Sequence, residues 1–184
     1  MINTYLDVLR LEAGSRPLQR ETFNIRDTVN QVKQVLQPLA QASKISITTE
    51  VAADVPSLEG DPHLIGGALL NLLSNAVKYT SQGKEVKLSV AADGNMAVVE
   101  VRNPGPVIPA HELARLFEPF YRVREQEDAT PGWGLGLAFV KRIAEQHGGK
   151  VEATSDSDFG TCFRVHLPAS GFYEVRNHNE TCLR

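Results

Sequence analysis

The sequence is poor in cysteine, in surplus positive charge and in long apolar segments, and each shortage excludes a class of protein. Its two cysteines, Cys162 and Cys182, form no CxxC pair, so neither a disulfide framework nor a cysteine-ligated metal is indicated. With 19 basic and 22 acidic side chains the net charge is -3, which provides no basic surplus for nucleic acid or anionic lipid. The longest apolar stretch, Leu64–Leu73, contains two glycines and is far shorter than the roughly 20 residues of a membrane span. We therefore expect a protein of the reducing cytoplasm that does not bind nucleic acid.

What the sequence does contain is the composition of one globular domain, with 42% hydrophobic and 22% charged residues over 184 positions. Apolar periodicity and turn residues predict helices at 26–42, 61–79 and 136–147, and strands at 44–51, 85–91, 96–102, 150–155 and 161–167. This order is typical of an α/β protein, a two-layer sandwich in which a mixed, mostly antiparallel sheet packs on three helices. Residues 103–132 form a long, breaker-rich connection, a length usual for functional lids or disordered segments.

One predicted helix carries a polar stripe that is unusual for a solvated face. At about 100° per residue, Asn71, Asn75 and Lys78 fall within about 60° of one another, and apolar residues fill the opposite arc. Asparagine is a poor helix former because its side chain competes for backbone hydrogen bonds. Amide oxygens that bind a hard cation, with a lysine beside them for phosphate, would explain the stripe. A solvated face remains the alternative.

A glycine-rich turn precedes the third predicted helix. Gly132, Gly134 and Gly136 alternate with Trp133 and Leu135, and Leu137 follows. Glycines let backbone N–H groups approach an anion, and a helix N-terminus adds favourable partial charge. The spacing matches neither a dinucleotide-binding fingerprint nor a P-loop. A flexible hinge before the helix is the alternative to an anion-binding turn.

Several segments in a fixed order together resemble a known family. They are the Asp61-Pro62 pair, NLLSNAVKYT (71–80), VRNPGPVIP (101–109), LFEPFYR (116–122), GWGLGLAFVKRIAEQHGG (132–149) and GTCF (160–163). They resemble the N, G1, F, G2 and G3 boxes of sensor histidine kinases, members of the GHKL ATPase superfamily. Upstream, LDVLRLEAG resembles the end of the second helix of the kinases' dimerisation and phosphoacceptor domain. The resemblance implies three parts: the end of that domain at 1–16, a catalytic ATP-binding domain at 17–168, and a tail of unknown role at 169–184.

The resemblance implies that the polar stripe and the glycine-rich turn bind ATP and Mg²⁺. Asn75 would ligate the magnesium ion, Asn71 would lie beside the phosphates, Lys78 would contact phosphate and Tyr79 would flank the nucleotide. Arg122 resembles the arginine that contacts the transferred phosphate. Nucleotide contacts are also implied for the glycine-rich turn at Gly132, Gly134, Leu135, Gly136 and Leu137.

At the adenine end, the family usually has an aspartate where this sequence has Asn103, whose amide oxygen can accept the same hydrogen bond. Gly105 would keep the backbone close to the base, Ile108 would pack on it, and Thr161 would reach it through water. Trp133 is a second departure, since the family has a small residue there. Phe117 and Phe120 resemble the residues that anchor a mobile lid.

The resemblance implies a two-component kinase domain that transfers the ATP γ-phosphoryl group to a histidine of its dimerisation domain. That histidine is expected upstream of residue 1, and a response regulator's aspartate would take the group next. The intact protein would be a homodimer, soluble or membrane-anchored, and this fragment alone a monomer. His111 is followed by an acidic residue as in an acceptor motif, but it lies between the G1 and F boxes, so we do not expect it to be phosphorylated.

Three other functions are alternatives to a two-component kinase. Gyrase-type, mismatch-repair and chaperone ATPases have a glutamate where Asn71 stands, and an amide cannot activate water as that base does. Anti-sigma-factor serine kinases share much of the pocket, although the leading LDVLRLEAG segment favours a two-component kinase. A non-catalytic nucleotide-binding or scaffolding module is the remaining alternative.

Overall fold

Three long helices pack on one face of a five-stranded sheet in the computed structural model, which describes residues 18–123 and 133–170. The helices are α1 (Ile25–Ala42), α2 (Pro62–Lys78) and α4 (Gly136–Gln146), and a short α3 (Ala110–Leu113) lies between the last two in the chain. The strands are β1 (Glu21–Phe23), β2 (Ser46–Val51), β3 (Leu58–Gly60), β4 (Glu85–Asp93), β5 (Met96–Asn103), β6 (Lys150–Asp156) and β7 (Gly160–Pro168).

The large sheet has the order β2-β4-β5-β7-β6. Its β2–β4 pair is parallel and its other three pairs are antiparallel. The predicted two-layer α/β sandwich with a mixed, mostly antiparallel sheet on three helices is therefore confirmed. A second sheet, in which β1 pairs with β3, was not predicted, because strands of three residues are too short to show an alternating pattern.

The helix α2 begins directly after Asp61, the first residue of the helix predicted at 61–79. Asp61 Oδ1 accepts hydrogen bonds from the N–H groups of His63 and Leu64, both at 3.1 Å, and Pro62 occupies the first helical position. The predicted apolar arc is buried, with Ile65, Leu69, Leu72, Leu73 and Ala76 all at most 2% exposed. Burial of this arc leaves the opposite, polar stripe on the open side of the helix.

A buried histidine joins the end of α4 to the start of α2. His147 is 1% exposed, its Nε2 accepts a hydrogen bond from the Asp61 N–H at 2.9 Å, and its Nδ1 donates to the Ile143 carbonyl at 2.7 Å. Gly60 is required beside it, since a Cβ there would lie 2.4 Å from the His147 ring. These contacts fix the two helices that carry the polar stripe and the glycine-rich turn relative to each other.

Some predicted features differ from the structure or lie outside the described residues. The strand predicted at 44–51 begins at Ser46, because Lys44 has a φ of +54° and forms a turn after α1. The predicted connection at 103–132 contains α3. The helix end predicted at 1–16, Gly132, and the predicted tail beyond residue 170 lie outside the described residues. No helix in the described ranges combines the length and the apolar character needed to cross a membrane.

Candidate functional site

A cleft of about 970 Å³ collects most of the predicted site residues. It is bounded by the polar face of α2, the segments that follow β5, and the start of α4. The predicted residues that line it are Asn71, Asn75, Lys78, Tyr79, Asn103, Ile108, Arg122, Gly134, Leu135, Gly136, Leu137 and Thr161. Gly105 does not line the cleft but packs against two residues that do, because a Cβ on it would be 2.6 Å from Asn103 Nδ2 and 2.7 Å from the Tyr79 carbonyl oxygen. Tertiary packing thus brings four separate chain segments into one cavity.

The polar stripe of α2 meets the glycine-rich turn at Asn71. The Asn71 Nδ2 donates to the Gly67 carbonyl at 2.8 Å, which orients the carboxamide. A Cβ on Gly136 would lie 2.9 Å from Asn71 Oδ1, so a larger residue at the start of α4 would require the Asn71 side chain to shift. Leu135, the N-cap of α4, has no side-chain acceptor for the first N–H groups of the helix. The start of α4 therefore presents backbone donors and helix-dipole charge to an anion in the cleft.

Two cations converge at this end of the cleft. Burial lowers the pKa of Lys78, and the positive charge of nearby Arg122 lowers it further. The Lys78 ammonium also lies 5.4 Å from the centre of the Tyr79 ring, and burial raises the pKa of the Tyr79 hydroxyl. Like charges held together are unfavourable unless an anion lies between or beside them. The pair is therefore suited to bind phosphate.

The segment that carries Arg122 is attached to both α3 and the glycine-rich turn. The Phe120 N–H donates to the Gly134 carbonyl at 2.9 Å, and a Cβ on Gly134 would lie 2.6 Å from the Tyr121 carbonyl oxygen. Gly134 has a φ of +68°, which favours glycine. The Tyr121 hydroxyl donates to Glu112 of α3. A shift of the glycine-rich turn must therefore also move the chain around Arg122.

The other end of the cleft is apolar with a few buried polar groups. Asn103 and Thr161 are opposite each other in the β5–β7 pair and are only 4% and 3% exposed. The Ile108 N–H donates to Ser155 Oγ at 3.0 Å, and Ser155 Oγ lies 3.0 Å from Thr161 Oγ1. Sequence reasoning missed Ser155, whose only signal is its position at the end of a predicted strand. Its hydroxyl links the backbone at Ile108 to the side chain of Thr161.

The aromatic residues near the rim differ in burial. Phe117 is partly buried against the core and packs edge-on against Phe163, with ring centres 6.3 Å apart. Phe120 and Trp133 are exposed, Trp133 by 71%, and Trp133 lines the cleft. The His111 side chain is 79% exposed and does not line the cleft.

The described ranges contain no group of three or more His, Cys, Asp or Glu side chains that could hold a metal ion. Magnesium prefers oxygen ligands and usually keeps water and substrate phosphates in its coordination shell. Asn75, on the polar face of α2, is an oxygen donor of the right chemistry.

Comparison with known proteins gives a consistent family. Residues 60–171 match the family model described as histidine kinase-, DNA gyrase B-, and HSP90-like ATPase. A sensor-like histidine kinase of Rhizobium meliloti is 35% identical over 179 residues, which cover 95% of this chain and 34% of that protein. The full-length structure of ShkA in complex with AMPPNP is 32% identical with a TM-score of 0.79, covering 91% of this chain and 35% of that one. The catalytic domain of the histidine kinase ThkA is 25% identical with a TM-score of 0.72, covering 82% of this chain and 97% of that one. The chain thus spans about a third of the length of the longer proteins.

Proposed function

Since this chain belongs to the histidine kinase-, DNA gyrase B-, and HSP90-like ATPases, and within them to the ATP-binding domains of sensor histidine kinases, we propose that its cleft binds ATP with Mg²⁺ for phosphoryl transfer to a histidine. The acceptor belongs to a dimerisation and phosphoacceptor domain of the same kinase, and a response regulator takes the group next. The longer protein acts as a homodimer whose catalytic domain faces the cytoplasm.

The observation that carries this proposal is the division of one cleft into two chemically different ends. At one end, Lys78, Arg122 and the N–H groups at the start of α4 converge, as a triphosphate requires. At the other end, Asn103 and Thr161 offer hydrogen-bonding groups in buried, mostly apolar surroundings, as a base requires. The bound AMPPNP of the ShkA structure supports the same assignment.

Phosphoryl transfer depends mainly on position and charge, and this chain's residues supply both. Asn75 is the protein ligand we assign to Mg²⁺, and Asn71 lies one turn earlier beside the phosphates. When bound, the metal ion would supply positive charge to the phosphate oxygens. Lys78 and Arg122 add positive charge, and we assign Arg122 to the transferred group.

Asn71 favours transfer over hydrolysis. Its Nδ2 is committed to the Gly67 carbonyl, and a carboxamide cannot accept a proton from water at neutral pH. Water is therefore not activated at this position, and the γ-phosphoryl group remains available for an imidazole presented by another domain.

Calorimetry with Mg²⁺ and AMPPNP tests nucleotide binding. We expect the Asn75→Ala variant to bind at least about tenfold more weakly, since it removes a metal ligand, a loss of roughly 1.4 kcal/mol. Asn95→Ala, in the β4–β5 turn, is the matched control and should leave binding unchanged. Equal binding by the wild type and Asn75→Ala would contradict the assignment of the metal.

Transfer is tested by mixing the chain with a separate phosphoacceptor domain and γ-labelled ATP. Label is expected on a histidine of the acceptor domain, and none on the chain itself. Label on a serine of a partner protein would favour the anti-sigma-factor type of kinase. Label on His111 would refute our exclusion of that residue, and nucleotide binding without any transfer would favour a binding module.

A further inference from the structure

Ser155 is a partly buried side chain that lies beside the cleft without lining it. It stands in one row with Thr161 and Asn103, because Thr161 of β7 is paired with Ser155 of β6 on one side and with Asn103 of β5 on the other. The Ser155 hydroxyl accepts a hydrogen bond from the Ile108 N–H at 3.0 Å and lies 3.0 Å from Thr161 Oγ1. One hydroxyl outside the cleft thus contacts two residues that line it and belong to different chain segments.

The segment 104–109, which follows β5, is bonded to the edge strand β6 through this hydroxyl. Three of its six residues are prolines, which have no N–H group. Of the remaining N–H groups, that of Gly105 donates to the Asn103 carbonyl at 2.9 Å, and that of Val107 donates to no residue in the described ranges. The Ile108 N–H is therefore the donor that fixes the segment to the sheet. Because α3 begins two residues later, the same bond also helps to place α3 against β6.

The same hydroxyl fixes the side chain of Thr161. Thr161 is 3% exposed, and among the described residues its hydroxyl bonds only to Ser155 Oγ. Whichever of the two hydroxyls donates, the bond holds Thr161 Oγ1 in one place and leaves it a hydrogen or a lone pair for a ligand. Without that partner the side chain would be ordered only when a ligand binds, which would reduce the affinity for the ligand.

We propose that Ser155 is a positioning residue of the nucleotide site, whose single hydroxyl holds the Ile108 backbone and the Thr161 side chain in the arrangement that binds the base. The inference rests on the proposed function, because it takes the end of the cleft with Ile108 and Thr161 as the base site. Ser155 acts only through these two neighbours. Lys78 and Arg122, at the phosphate end, do not contact it and should keep their chemistry when its hydroxyl is removed.

The test is calorimetry with Mg²⁺ and AMPPNP on the wild type and Ser155→Ala. We expect the dissociation constant of the variant to rise about three- to tenfold, as the loss of one neutral hydrogen bond implies, with one nucleotide still bound per chain. A purely structural role would instead lower the fraction of chains that bind and leave the dissociation constant unchanged. Ser89→Ala, the same chemical change in β4 at a residue that does not line the cleft, should bind as the wild type does.

Two further measurements show whether Ser155 acts through the base site. In the transfer assay with a separate phosphoacceptor domain, Ser155→Ala should raise the KM for ATP and leave kcat within about twofold, because the lost interaction serves binding of the base. In a Thr161→Ala background, Ser155→Ala should weaken AMPPNP binding by a smaller factor than in the wild type, because one of the two partners of its hydroxyl is gone.

Three results would overturn the inference. One is a Ser155→Ala variant with an unchanged dissociation constant, whatever fraction of its chains binds. Another is a Ser155→Ala change that weakens binding by the same factor with and without the Thr161 hydroxyl. The third needs no variant and decides even if Ser155→Ala does not fold: in amide hydrogen exchange of the wild type, the Ile108 N–H should be more protected than the Val107 N–H, and equal protection would show that the bond to Ser155 is absent. Wild-type protein that does not bind AMPPNP would instead refute the proposed function, and this inference with it.

Discussion

Replacing His147 with phenylalanine removes the buried hydrogen bond that joins α4 to the start of α2, together with the bond from Nδ1 to the Ile143 carbonyl, which still accepts from the His147 backbone N–H. The His147 ring is 1% exposed and its Nε2 accepts from the Asp61 N–H at 2.9 Å. Phenylalanine keeps most of the volume but offers no acceptor, so the Asp61 N–H stays buried without a partner. An unsatisfied buried donor costs about 1–3 kcal/mol. We therefore expect His147→Phe to lower the free energy of unfolding by about 1–3 kcal/mol at pH 8.

The same histidine predicts how the stability of the wild type depends on pH. Burial lowers the pKa of His147; the positive charge of Arg20 also lowers it, while the Ile143 carbonyl and the Asp61 carboxylate act in the opposite direction. Below about pH 6.5 the unfolded chain therefore binds a proton at this position that the folded chain resists. The free energy of unfolding should fall as the pH decreases from 6.5, by at most about 1.4 kcal/mol per pH unit. His147→Phe lacks this contribution, so its stability should fall less.

The assay is urea unfolding followed by circular dichroism at pH 8.0, 7.0, 6.0 and 5.5. Because the other titratable groups are common to both proteins, the difference between wild type and variant isolates His147. His63→Phe is the control, since the His63 side chain is exposed; it should change the free energy of unfolding by less than about 0.5 kcal/mol. The reasoning is refuted if His147→Phe is as stable as the wild type at pH 8, or if the difference between them does not shrink towards pH 5.5.

Two further predictions concern the phosphate end of the cleft. Gly136→Ala places a Cβ 2.9 Å from Asn71 Oδ1 and must displace that side chain, so calorimetry should show AMPPNP binding weakened about tenfold. Thermal unfolding should meanwhile show equal or greater stability, because alanine is the better helix former. A Gly136→Ala variant with unchanged AMPPNP affinity would contradict the inference that the position of the Asn71 side chain matters for binding. Arg122→Ala should raise the pKa of Lys78 towards its ordinary value of 10.5, measured by NMR titration of the ε-carbon, because it removes the neighbouring positive charge. A pKa of Lys78 that stays the same or falls would show that the two cations do not interact.

Local signals were sufficient for the helix that carries much of the site. The Asp61-Pro62 pair predicts the start of α2, and the 3.6-residue period separates its apolar arc from the stripe of Asn71, Asn75 and Lys78. The glycine pattern likewise predicts the turn before α4. Each of these features depends on residues close together in the chain.

Other features depend on residues that are far apart in the chain, so no local pattern could reveal them. The β1–β3 sheet has strands of three residues, too short for an alternating pattern, and the β2–β4 pair is parallel although both strands read alike in sequence. His147 looks like an ordinary helix end, yet its ring accepts a hydrogen bond from Asp61. Ser155 carries no motif, yet it links Ile108 to Thr161.

Periodicity and capping are local properties, so the sequence alone predicts the fold class and the longer helices and strands, while the roles of the individual site residues stay predictions. The resemblance of its ordered motifs to the kinase boxes pointed to the family. The folded structure shows that Arg122 lies close enough to Lys78 to lower its pKa, and that Gly136 abuts Asn71. It also shows that the carboxamide of Asn103 is buried in the cleft without a hydrogen bond to a described residue. Those facts arise from the packing of α2, α4 and the sheet against one another, which depends on the shapes of many buried side chains at once.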